Sequence, residues 1–291
     1  MLITLKNEQL TVVLDSAGAV FHSIVKDGIE YLWQGDKKYW SSRDKTLFPY
    51  VGRCRDGKYI YRGQEYTMPL HGFAPGSEFE AEQLGDSSVC FTLRANEMTR
   101  EYYPFEFVFK VLYELDGCSI SKKCTVINKD SKTIHFGFGA HPGFNVPLSG
   151  EGDFSDWYME FDADCQPYRV EFDPVSCLLS GRTLPYPLKK MNTLPLYHEM
   201  FNDDAVVLGN VPRGVTLKSD KSRRSVHVSF PGMEFVGFWH ARPTDAPYVC
   251  IEPWATLPSH NDFVEDIEKQ EYILHLPAGE TYTNVMMVEI R

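Results

Sequence analysis

Four short segments of this chain set an ionisable group among glycine, proline and aromatic residues. They are Phe48–Arg55 (FPYVGRCR), Leu70–Ala74 (LHGFA), Phe138–Asn145 (FGAHPGFN) and Val249–Ala255 (VCIEPWA). Glu252 stands out. It follows the apolar run Tyr248–Ile251 and precedes Pro253 and Trp254, so it is placed at the end of a buried strand. Burying a carboxylate costs free energy unless it is paired or hydrogen-bonded. Glu252 therefore has either a chemical task or a neutralising partner, an arginine or a backbone amide. His141 lies between Ala140 and Pro142; the proline biases its backbone away from the helical region and the flanking glycines allow close approach. His71, before Gly72, has a similar setting. For both, a hydrogen-bonded structural histidine competes with a functional one. His22, His135, His227 and His275 fall within strand patterns and read as structural.

Other chemistries fit less well. There is no GxGxxG, no phosphate-binding P-loop and no GxSxG nucleophile elbow. No HExxH or His-x-His spacing supplies metal ligands, although His71, His141 and Glu252 could mimic a two-histidine, one-glutamate zinc site if they met in space. The expectation is no metal and no cofactor.

The elements that must position these groups are strands. Phe105 to Leu115 alternates apolar and polar residues, and Asp116-Gly117 then offers a tight turn into a partner running from Cys118 to Asn128. Further hairpins are predicted around Gly85-Asp86 and Arg62–Gln64. Strands are expected at Ser225–Phe230, Phe235–Trp239, Tyr272–Leu276 and Thr281–Ile290. Helical periodicity is nearly absent; Phe263 to Lys269 is expected to make a turn or two. The proline-bearing stretch from Asp173 to Tyr197 reads as a long loop. The pattern predicts an all-β fold, a large single-domain antiparallel β-sandwich over residues 1–291.

Composition narrows the partners. The 291 residues carry 29 basic against 40 acidic groups, a net charge of −11. Without a basic face, binding to nucleic acid or to an anionic membrane is not expected. No secretory leader and no membrane-length apolar run is read, and the seven cysteines are scattered without CxxC spacing. These features predict a cytoplasmic protein with reduced thiols, acting as a monomer or homodimer. Aromatics, 14% of the chain, suit a β core and also the C–H faces of sugar rings; for Trp239, Trp254, Phe138 and Phe144 a platform and core packing are equal alternatives.

Taken in order, the four segments resemble the aldose 1-epimerase (galactose mutarotase-like) family, above all its divergent bacterial branch associated with sugar-utilisation genes. The match runs through Gly52-Arg53, the hairpin Gly57–Tyr66, Leu70-His71-Gly72, His141-Pro142 and Cys250-Ile251-Glu252, nearly the whole chain. Two positions depart from the family pattern: Gly52 stands where asparagine is usual, and Phe73 replaces a second glycine. The resemblance implies a galactose mutarotase-like supersandwich and an isomerase that interconverts the anomers of a monosaccharide by acid/base ring opening. Glu252 would be the base and His141 the acid, on opposite sides of the ring. Arg53 and His71 would bind sugar oxygens. The sugar-binding aspartate falls at Asp203 or Asp204, with Asp204, directly before Ala205, preferred. A hexose-6-phosphate 1-epimerase would need added cations, for which Arg43, Arg55 and Arg242 are the candidates, and a non-catalytic sugar sensor would keep the pocket alone.

Overall fold

The computed structural model describes residues 1–148, 150 and 152–291. Two large antiparallel sheets carry the fold. In the first, nine strands are ordered 193–195, 157–161, 214–219, 226–229, 281–290, 119–128, 107–116, 88–94 and 80–85. In the second, the path runs 179–185, 168–172, 206–209, 235–239, 248–254, 139–140 and 46–47, with 143–145 also paired to 248–254. A four-stranded N-terminal sheet joins Leu2–Lys6, Thr11–Asp15, Val20–Lys26 and Ile29–Glu30.

The alternation that defines the strands also builds the core. Phe107, Phe109, Val111, Tyr113 and Leu115 of the first sheet are buried on one face, and Val206, Leu208, Val236, Phe238, Val249 and Ile251 of the second belong to the same apolar cluster. Phe48 stacks on Phe109 with ring centroids 4.4 Å apart, and Phe161 meets Phe238 at 6.2 Å, so the two sheets close on each other through aromatic side chains. Each such ring contributes roughly 1.5–3 kcal/mol by leaving water.

The hairpins at Asp116-Gly117, Gly85-Asp86 and Arg62-Gly63 form, and Gly117 takes the positive φ that such turns require. Two local expectations are corrected, and one helix was not foreseen. The stretch from Asp173 to Tyr197 is not a single loop: Leu179–Pro185 and Thr193–Pro195 are outermost strands of the two sheets. Their prolines sit at strand ends, where a missing N–H costs no ladder bond, and exposure of Leu179–Pro185 on both faces erased its alternation. Of Phe263 to Lys269 only 267–269 makes a turn, with Lys269 N–H donating to Asp266 O at 2.9 Å; the backbone before it is drawn to the neighbouring hairpin, where Ile60 N–H donates to Glu265 O and Ile267 N–H to Ile60 O, each 2.8 Å. The α-helix is instead Glu97–Tyr102, started by Asn96 and Thr99 in a reciprocal capping box.

Candidate active site

Residues 248–254 form a fully buried strand whose two faces do different work. Val249 and Ile251 enter the inter-sheet core, whereas Tyr248, Cys250, Glu252 and Trp254 face the other side, as the two-residue period of a strand requires. There a pocket of about 450 Å³ opens, large enough for a small ligand. Arg53, His71, His141, Asp204 and Glu252 all line it; Asp203 does not.

The register explains how His141 reaches Glu252. Gly139 pairs with Trp254 and Gly143 with Cys250, which puts His141 directly opposite Glu252 on the neighbouring strand. Pro142 has no N–H to donate and interrupts the ladder between the two pairings, although its carbonyl still accepts from Ile251 N–H at 3.1 Å. The side chains meet, with His141 Nε2 3.3 Å from Glu252 Oε1. On the other flank Glu252 faces Gly237, where an added Cβ would sit 3.4 Å from its own.

The rest of the pocket wall is aromatic. Trp40 stacks on the His141 ring at 5.0 Å and Trp239 meets it edge-on at 5.6 Å. Of the four proposed platform residues, Trp239 and Trp254 line the pocket. Phe138 and Phe144 take the core alternative: each lies in the inter-sheet cluster, Phe138 against Phe109 and Tyr282.

His71 is held by a backbone turn that glycine makes possible. His71 and Gly72 both have positive φ, at 66° and 77°, and a Cβ on Gly72 would lie 2.3 Å from the Phe48 carbonyl oxygen. His71 N–H donates to Gly52 O at 2.8 Å, and Gly52 N–H donates back to His71 Nδ1 at 3.1 Å. An accepting Nδ1 leaves the ring proton on Nε2. Phe73 anchors the turn by packing between Phe48 and Phe107. Gly52 has its own constraint: its φ is 69°, and a Cβ there would come 2.4 Å from the Pro258 ring, so the asparagine of the family pattern has no room. Asp204 also has positive φ, 87°; it accepts from Ala205 N–H at 3.0 Å and lies 3.9 Å from Arg242.

The electrostatics follow from burial. Burial pushes the Glu252 carboxyl well above the usual carboxylate range, reinforced by Asp204 and opposed by Lys45. Burial also drives His141 well below the usual imidazole value, with His71 and Lys45 adding to the effect. His71 falls to about 3 for the same reason, helped by Lys45 and Arg53. All three groups are thus biased towards their uncharged forms.

A metal could be held by a different trio from the one sequence suggested. The ligand atoms of His141, Cys250 and Glu252 lie within 4.8 Å of one another. Burial and the neighbouring Glu252 raise the Cys250 thiol well above its ordinary value, which opposes the thiolate that an ion would need.

Sequence reasoning missed Lys45, Tyr39, Trp40, Phe172 and Cys177, which also line the pocket. Lys45 did leave a signal, three residues before the Phe48 segment. Of the three arginines considered as added cations, Arg242 lines the pocket. Arg55 instead donates to Asn261 at 2.6 and 2.7 Å, and Arg43 faces a separate cavity.

The aldose 1-epimerase family pattern matches residues 1–288. The plasmid-encoded protein LacX of Lactococcus lactis subsp. lactis is 36% identical, covering 96% of this chain and 97% of its own. The galactose mutarotase related enzyme of Lactobacillus acidophilus superposes with a TM-score of 0.95 at 31% identity, over 100% of this chain and 97% of that one. A galactose mutarotase-like protein of Lactobacillus casei superposes at 0.94 with 30% identity, over 100% of both chains. The fold is accordingly the galactose mutarotase-like β-sandwich. Among the described residues no helix is long and apolar enough to cross a membrane.

Proposed function

The chain belongs to the aldose 1-epimerase family, and from that premise we propose that it interconverts the α and β anomers of an aldohexose by acid/base ring opening. The observation that carries this reading is the contact between His141 Nε2 and Glu252 Oε1 inside a tryptophan-walled pocket. The anomeric hydroxyl oxygen and the ring oxygen are both bonded to C1, so two groups in contact can serve both.

In the opening direction Glu252 takes the proton of the C1 hydroxyl as the C1–O bond becomes a carbonyl. The bond from C1 to the ring oxygen breaks, and that oxygen takes its electron pair and a proton from His141 Nε2. Rotation about C1–C2 presents the other carbonyl face, and the steps reverse. One proton shared by the pair serves both directions: on His141 it opens the ring, and on Glu252 it closes it. Burial favours the uncharged arrangement, with the proton on Glu252 and His141 neutral. In this reading His71 donates from Nε2 to a sugar oxygen, Arg53 donates to hydroxyl oxygens, and Asp204 accepts from sugar hydroxyls. Trp239 and Trp254 offer apolar faces to the ring. Nothing in these steps calls for a Lewis acid.

Polarimetry of freshly dissolved α-glucose and α-galactose tests the proposal directly. Equilibration should be accelerated in proportion to protein concentration; a rate equal to that of buffer for every aldose and aldose phosphate tried would reject it.

A further inference from the structure

The register that pairs His141 with Glu252 extends one strand further. Gly139 pairs with Leu47 and Ala140 with Thr46. The next position in that register places Lys45 beside His141, so Lys45, His141, Glu252 and Gly237 form a row across four neighbouring strands, successive members standing about 4.8 Å apart. Lys45 projects to the pocket side and lines it with the other two.

Its backbone is clamped. Asp44 and Thr46, on either side, point inward and meet the buried Lys122, whose Nζ donates to Thr46 Oγ1 at 2.9 Å and lies 3.5 Å from Asp44 Oδ2. Phe21 N–H donates to Asp44 at 3.1 Å, and Thr46 Oγ1 donates to Ala19 O at 2.9 Å. The ammonium of Lys45, by contrast, forms no ion pair or hydrogen bond among the described residues, and neither does the Arg53 guanidinium beside it. Arg242, the third cation of the pocket, already has Asp204. A chain with a net charge of −11 has therefore gathered cations in this pocket, and two of them form no ion pair among the described residues, although Lys45 acts on Glu252 at longer range. Like charges held together on a fixed frame favour an anion between them.

The order of the row says where that anion belongs, given the acid/base reading above, on which this step rests. Glu252 addresses the oxygen on C1 and His141 the ring oxygen. Continuing in the same direction along the sugar leads to C5 and its exocyclic carbon, C6, and along the sheet it leads to Lys45. We propose that Lys45, with Arg53, receives an anionic group on C6, so that the preferred substrate is an aldohexose 6-phosphate and not the free sugar.

The test compares glucose and galactose with their 6-phosphates, following anomer exchange by magnetisation-transfer NMR in the wild type, Lys45→Met and Lys45→Arg. A hydrogen-bonded ion pair to phosphate should favour the esters in kcat/KM by roughly tenfold or more. Lys45→Met should collapse that ratio towards one and Lys45→Arg should keep most of it. Equal kcat/KM for ester and free sugar, or a ratio unchanged in Lys45→Met, would overturn the inference. If no sugar is turned over, the mutarotase reading fails, and calorimetric titration of glucose 6-phosphate against glucose then decides the anion site by itself. Binding of the ester roughly tenfold tighter, lost in Lys45→Met, upholds it; equal binding of the two refutes it.

Discussion

His141 and Glu252 lie opposite each other on adjacent strands, and their side chains meet at 3.3 Å in a buried pocket. Burial pushes the two groups in opposite directions, the carboxyl upward and the imidazole downward. Burial therefore biases the pair towards a protonated Glu252 and a neutral His141.

Glu252→Gln removes the proton acceptor while keeping the shape. Turnover should fall about 10²–10⁴-fold with sugar affinity changed far less. His141→Asn should cost a comparable factor, and the double variant little more, because either loss disables the concerted step. His135 is the control, since it lies outside the pocket and contacts His275 at 2.7 Å. His135→Asn should leave turnover per folded molecule nearly unchanged. Polarimetry, with folded protein quantified separately, reads all four variants.

The pH profile follows from the one-proton requirement. Acid stops the pair by adding a second proton, to His141; that imidazole is depressed, so the acid limb of kcat/KM should lie below 6.5, its ordinary value. Base stops it by removing the last proton, from Glu252; that carboxyl is raised, so the alkaline limb should lie above 4.5, its own ordinary value. A plateau is expected between the two limbs, and an acid limb centred at or above pH 6.5 would contradict the assignment.

The two adjacent aspartates separate cleanly. Asp204→Asn should raise KM roughly tenfold or more, the cost of weakening a charged hydrogen-bond acceptor in the pocket. Asp203→Asn, outside the pocket lining, should leave KM within about twofold. Steady-state kinetics on the two variants decides between them.

Gly72→Ala tests how His71 is held. The new Cβ would collide with the Phe48 carbonyl oxygen, a backbone atom with little freedom to move, and the residue would be forced to a φ of 77°. Unfolding by denaturant should show a loss of more than about 3 kcal/mol, and whatever folds should bind sugar poorly.

The sequence by itself determined the fold class, because two-residue alternation with Asp-Gly and Gly-Asp turns has few solutions other than packed antiparallel sheets. It also marked the four segments that hold Arg53, His71, His141 and Glu252, since titratable groups among glycine, proline and aromatics are conspicuous in one dimension, and the family resemblance then picked out those four residues. What it lacked was register. Alternation tells which face a side chain takes but not which residue stands beside it, and that depends on strands distant in sequence finding one another. Only the tertiary structure could set Lys45, His141 and Glu252 in a row, aim Asp204 and not Asp203 into the pocket, and send Phe138 and Phe144 to the core. The direction of each pKa shift was likewise undecided until folding fixed how deeply each group is buried, because desolvation is a property of the packed environment and not of the residue.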